Sequence, residues 1–149
     1  MKRFSLKTLI TGALLLAACG PSLAGPYPFS KAVVVGDMVY LSGEVGLTES
    51  GKLVPGGVKA ETKQVMANIQ HTLAKLDLSM DSIVQCQLFI KDINEWPAVN
   101  DVYKTFFKDG KYPARSAFAT GSTDGAGLAL GARIEAQCLA TTSTIGYVN

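Results

Sequence analysis

Apolar and polar positions change period repeatedly along this chain, and each change marks an element. In "AVVVGDMVYLSGEVGL" two apolar runs are split by Gly36-Asp37, a dipeptide suited to the positive φ angles of a tight hairpin. From Gly57 to Leu78 the period becomes helical. Val65, Ile69, Leu73 and Leu76 recur at spacings of four, four and three, while Lys63, Gln64, Gln70 and Lys75 face away. "SIVQCQLFIKD" then alternates, with Val84, Cys86, Leu88 and Ile90 on one face and Gln85, Gln87 and Phe89 on the other, which predicts a half-buried strand. Asn94 is placed to cap a second helix with Pro97 in its first turn. Val99, Val102, Tyr103 and Phe106 form its buried stripe, and Asp109-Gly110 ends it. "RSAFAT" and "ARIEAQCLA" read as strands joined by the glycine-rich "GSTDGAGLALG", and the Thr/Ser tail after Ala140 is expected to fray.

Strands interrupted by helices, in the order strand, strand, helix, strand, helix, strand, strand, predict an α/β two-layer sandwich: one mixed sheet with two helices on one face. The opposite face carries Val, Met and Phe and needs cover, which favours an oligomer.

The first residues stand apart from this pattern. Lys2, Arg3 and Lys7 precede an apolar run from Leu9 to Ala18 that is too short to span a bilayer, and small residues follow, the layout of a secretory signal. Ser22-Leu23-Ala24 fits a cleavage site before Gly25, whereas Leu16-Ala17-Ala18-Cys19 reads as a lipobox with Cys19 as the lipidated residue; the lipoprotein is the favoured alternative. The chain is thus expected to be exported or periplasmic, touching a membrane only through such an anchor. Residues 25–149 then form a single domain.

The leader holds three of the 14 basic residues and none of the 12 acidic ones, so 11 basic face 12 acidic in the remainder. No basic surface for nucleic acid is expected. Gly125, Gly127 and Gly131 do not have the spacing of a dinucleotide loop, and no G-x-x-x-x-G-K occurs. His71 is the single histidine and is expected to be solvated on its helix. No Cys/His/carboxylate cluster has ligand spacing, so no metal site is expected. Cys86 and Cys138 each sit in a predicted strand. Two buried, unpaired thiols are the favoured reading, with a bridge as the alternative.

Candidate chemistry centres on "KYPARSAF", where Arg115 stands at a strand entry behind Pro113 and Ala114. A guanidinium offers two parallel donors at the spacing of a carboxylate's oxygens, so a small planar acid is held and oriented together.

The blocks "PFSKAV", "GDMVYLSGEVGL", "TKQVMANIQHTLAKL", "VQCQLFIKDINEWPAVNDVYKTFF", "YPARSAF" and "ARIEAQCLA", in this order, resemble the RidA/YjgF family of imine deaminases over Pro28 to Ala140. The resemblance implies a chorismate-mutase-like fold assembled as a homotrimer with clefts at the subunit interfaces. It also implies hydrolysis of 2-imino acids to 2-keto acids and ammonia, with no cofactor. Arg115, in the "PARS" motif, would hold the substrate carboxylate, and Ser42, in "LSGEVG", would line the cleft. Phe29, Ala117 and Arg133 fall at the family's other substrate-facing positions. Asn94 and Asn100 match the helix-start region and are expected to be caps. Glu44, where the family commonly has glutamine, is expected to be solvated.

Two positions depart from the family pattern. Phe29 stands where deaminating members carry a tyrosine, and Tyr27 lies two residues earlier. Arg133 stands where the family has the glutamate that positions the attacking water. Glu135, the second glutamate of that strand and about 6–7 Å further along it, is the remaining candidate base. Two readings follow: an exported 2-imino acid deaminase, or a non-catalytic trimer that binds small carboxylates or other anions outside the cytoplasm.

Overall fold

The computed structural model describes residues 27–108, 110–121 and 127–148. The leader with Cys19, together with Asp109 and Gly125, lies outside the described residues.

Strands β1 (Ala32–Val35) and β2 (Met38–Leu41) form the opening hairpin. Gly36 alone supplies the positive φ of its turn, at 60°. The apolar run does not continue as one strand. It breaks at Ser42-Gly43, and the two-residue β3 (Glu44–Val45) pairs with the last strand instead.

Helix α1 (Gly57–Ala74) buries Val58, Val65, Met66, Ile69 and Leu73. It ends earlier than the periodicity predicts, because Asp77 adopts the left-handed conformation at φ 57°. Asp77 N–H then donates to Ala74 O and Leu78 N–H to Leu73 O, the paired reverse bonds that close a helix. Leu76 consequently leaves the apolar stripe and is 37% exposed.

β4 (Ile83–Ile90) contains an irregularity between Ile83 and Gln85 that shifts the strand's parity. Ile83 therefore takes the core position expected for Val84. Helix α2 (Trp96–Tyr103) follows a 3-10 turn, Ile93–Glu95. Asp92 caps that turn by accepting from Asn94 N–H, so Asn94 is not the cap and is itself exposed. Asn100 is no cap either, since it lies inside α2. A further 3-10 turn over Lys104–Phe106 leaves Phe107, rather than Phe106, buried.

β5 (Ala114–Ala119) runs parallel to β4, and β6 (Ile134–Thr141) runs antiparallel to β2, β3 and β4. The result is a mixed sheet in the order β1-β2-β6-β4-β5 with β3 also on β6, the two-layer α/β architecture expected. Val39, Leu41, Cys86, Leu88, Ile90, Ile134, Ala136, Cys138 and Ala140 meet the helices in one buried cluster. The opposite face leaves Val33, Val35, Tyr40 and Phe118 about half exposed.

Cys86 and Cys138 are direct cross-strand partners with Cα atoms 4.1 Å apart, and they form a disulfide. The favoured reading of two free thiols is thus corrected. The register that places the sulfurs together depends on non-local pairing of β4 with β6. The start of the tail is not frayed. Thr141 is buried and its hydroxyl donates to Asp37 O, Thr142 N–H donates to the same carbonyl, and Ser143 Oγ donates to the Asp37 carboxylate.

Candidate functional site

Arg115 is the second residue of β5, two positions after Pro113, which is buried and has a fixed φ. In the parallel ladder it is registered with Cys86, which directs it to the helix side of the sheet. There α2 supplies two rings to its guanidinium: Trp96 at 4.5 Å and Tyr103 at 4.7 Å from ring centroid to Cζ. These residues are seven apart, two helical turns, so one helix face presents both. Their electron-rich faces stabilise the cation without neutralising it. Among the described residues Arg115 has no carboxylate partner. A cavity of about 400 Å³ opens beside it, lined by Asn100, Tyr103, Lys104, Tyr112, Pro113 and Arg115. Burial pushes the Tyr103 phenol up to about 12 against the opposing pull of Arg115, so it remains a neutral hydroxyl. Ala117, two residues along the same face, lines an adjoining hollow with Trp96 and Pro97.

A second corner collects the other candidates. Tyr27, Phe29, Lys31, Ser42, Glu44, Leu130 and Glu135 line a cavity of about 380 Å³. Tyr27 and Phe29 stack at 5.4 Å with 16° between their planes, so the phenol two residues before Phe29 shares the cavity despite its offset in sequence. Ser42 Oγ donates to Ser30 O at 2.6 Å, and this fixes its proton and leaves oxygen lone pairs as acceptors. Glu44 is not solvated: it is 6% exposed and accepts from Lys31 Nζ at 2.8 Å.

Glu135 is opposite Val45 in β3 and Phe89 in β4. Burial, and secondarily the Glu44 charge, hold its carboxyl above the ordinary carboxylate value. Its Oε1 sits so close to Gly43 that a Cβ there would be 2.0 Å away, so only glycine lets the carboxylate lie across the β2–β3 link. A carboxyl with a raised affinity for protons, beside a phenol and a fixed hydroxyl, can carry a proton to or from a small ligand.

Within one chain these two regions do not meet. Arg115 shares a sheet face with Cys86 and Cys138, whereas Glu135, three residues from Cys138, is on the other. No residue lines both cavities.

Arg133 is placed differently from what the resemblance implies. Its Nε donates to both carboxylate oxygens of Glu95, at 3.0 and 3.1 Å, and Nη2 also pairs with Glu95. Glu95, chiefly through that hydrogen bond, raises the guanidinium's already high pKa. Its charge is thus paired with a carboxylate of its own chain, while the side chain remains 42% exposed.

Sequence reasoning did not anticipate Trp96, Tyr103 and Glu95 as partners of the arginines. For Trp96 and Tyr103 the seven-residue spacing was a usable signal. The Arg133–Glu95 pair joins residues 38 apart and has no local signature.

Over residues 21–142 the chain matches the family described as Endoribonuclease L-PSP. It is 38% identical over 128 residues to the 2-iminobutanoate/2-iminopropanoate deaminase of Capra hircus, covering 85% of this chain and 88% of that protein. It is 39% identical over 121 residues to the Mus musculus protein of the same name, covering 80% and 84%. Among solved structures, RidA from a Psychrobacter species matches with a TM-score of 0.71 at 28% identity, covering 79% of this chain and 91% of that one. TdcF of E. coli with bound serine matches with a TM-score of 0.69 at 27% identity, covering 80% and 91%. By its motif order, its sheet and these matches, the chain belongs to the RidA/YjgF family.

Proposed function

We propose that the protein hydrolyses small 2-imino acids to 2-keto acids and ammonia, in a site that two copies complete together. The observation that carries this reading is Arg115, a cation without an acidic partner among the described residues, framed by Trp96 and Tyr103 at the rim of a cavity. A substrate carboxylate supplies the missing partner, and the guanidinium fork orients the imine carbon. Water adds to that carbon and a proton passes to nitrogen. The carbinolamine then releases ammonia as its hydroxyl proton is removed. Glu135, whose raised pKa suits proton exchange, is the group to carry these protons, with Ser42 and Tyr27 as hydrogen-bonding neighbours.

Because the cationic groove and the acidic corner face opposite sides of one sheet, the reading requires the groove of one copy to meet the corner of the next. The half-exposed Val33, Val35, Tyr40 and Phe118 on the open sheet face support such self-association. A homotrimer is the proposed assembly. Export is proposed with it, on the leader sequence and on the disulfide, which suits an oxidising compartment.

The second reading, a binder of small carboxylates without turnover, is favoured by one departure: Phe29, which carries no hydroxyl, lines the acidic corner where the resemblance implies a tyrosine. One experiment separates the two. 2-Iminopropanoate is generated in place by an amino-acid oxidase, and its decay is followed with and without the purified protein. The deaminase accelerates decay, and Arg115→Ala slows it. Unchanged decay combined with thermal stabilisation by 2-oxobutanoate would establish the binder and defeat the enzyme.

A further inference from the structure

Arg133 lies outside both cavities, yet both its backbone and its side chain are tied to other elements. Its N–H donates to Glu61 Oε2 at 2.7 Å, and its carbonyl accepts from Lys91 N–H at 2.9 Å. Glu61 is a buried side chain of α1, and Lys91 follows the end of β4, so the root of Arg133 is fixed between helix and sheet. From that root the guanidinium forks onto Glu95, whose side chain is only 19% exposed.

Glu95 ends the three-residue 3-10 turn before α2, an element with weak hydrogen-bond geometry of its own. It occupies the N-cap position of α2 but makes no capping bond from its side chain, because the carboxylate is turned to Arg133. The next residue is Trp96, whose ring covers the Arg115 guanidinium. Arg133, Glu95, Trp96 and Arg115 therefore form one mechanical series from the start of β6 to the groove.

We propose that Arg133 is a positioning residue, holding Glu95 so that Trp96 stays against Arg115 and the carboxylate clamp stays open. The part concerning the clamp rests on the reading of Arg115 given above. The part concerning Trp96 does not.

Trp96 is the single tryptophan, so its fluorescence reports the second part without any ligand. Full-length Arg133→Ala, Glu95→Gln and the swapped pair Arg133→Glu/Glu95→Arg are compared with the parent protein. Acrylamide quenching of Trp96 is measured first, then titration with 2-oxobutanoate, then kcat and KM. Both single variants should expose Trp96 to quencher. Arg133→Ala should weaken 2-oxobutanoate binding about tenfold, through KM rather than kcat, as expected when a uniformly used binding contact is loosened. The swapped pair should recover most of both. Should Arg133→Ala fail to fold, Glu95→Gln decides by the same readouts. Parent-like quenching and affinity in the single variants, or a folded swapped pair without recovery, would overturn the proposal. If the parent protein itself does not bind 2-oxobutanoate, the clamp reading fails, while the ligand-free quenching still decides whether Arg133 holds Trp96.

Discussion

The groove beside α2 and the corner at the β2–β3 link handle charge in opposite ways. In the groove a cation is framed by two aromatic faces and has no carboxylate partner among the described residues; in the corner a carboxyl is partly desolvated near a second carboxylate and so favours its proton. The first arrangement suits gripping an anion, and the second suits moving a proton. Each is incomplete as a reaction centre, and the sheet separates them within one chain. A lone protomer is therefore expected to bind weakly and turn over poorly.

Several measurements would break or sharpen this contrast. The largest effect is expected from the covalent tie between the two regions: Cys86 is registered with Arg115, and Cys138 lies three residues from Glu135. Replacing both cysteines by alanine should lower unfolding stability by about 4 kcal/mol, the loop-entropy value for a 52-residue separation. A shift in the denaturation midpoint at constant slope would measure it. A midpoint unchanged from that of the oxidised protein would show that the bond contributes nothing.

Next in size is Arg115→Ala, which removes a charge-assisted fork and should reduce kcat/KM by about 100-fold, while Arg115→Lys keeps the charge and should lose about tenfold. Equal losses in the two variants would mean that charge is immaterial. Gly43→Ala is expected to act on the corner alone. The new methyl displaces the mobile end of the Glu135 side chain rather than backbone, so kcat should fall several-fold with little change in thermal midpoint. A collapse of stability would show that the link itself is strained.

The smallest effect is the pH dependence contributed by Glu135. Its folded pKa lies above its ordinary value of 4.5, so the folded state binds the extra proton between those two values. The sign is that stability is full below 4.5 and declines as pH rises through the raised folded pKa. Glu135→Gln should therefore melt higher than the parent protein above that window, and the gap should close as pH falls to 4.5. A gap constant with pH would remove the raised-carboxyl account.

The regular parts of this architecture were legible because they repeat. Val65, Ile69 and Leu73 form a helical row, and Ile134, Ala136, Cys138 and Ala140 alternate along a strand. Departures from repetition were not. One irregular residue in β4 exchanges Ile83 for Val84 in the core, and Asp77 ends α1 in a conformation more typical of glycine. At the site, Arg115 could be picked out from its motif, but its setting required α2 to be docked on β5. The commitment of Glu44 to Lys31, of Arg133 to Glu95, and of one sulfur to the other was equally invisible, since each depends on which strands and turns become neighbours.

The disulfide also constrains the order of events in making this protein. Cys86 and Cys138 are 0% and 1% exposed, beneath the helices and inside the sheet. An oxidising enzyme or small-molecule oxidant can reach them only while β4 and β6 are still unzipped. Chains that complete the core in a reducing environment stay as dithiols, two hydrogen atoms heavier and less resistant to heat, and later exposure to air converts them only as fast as they reopen. Two preparations of one sequence, purified from compartments of different redox state, are thus expected to be two distinguishable molecules.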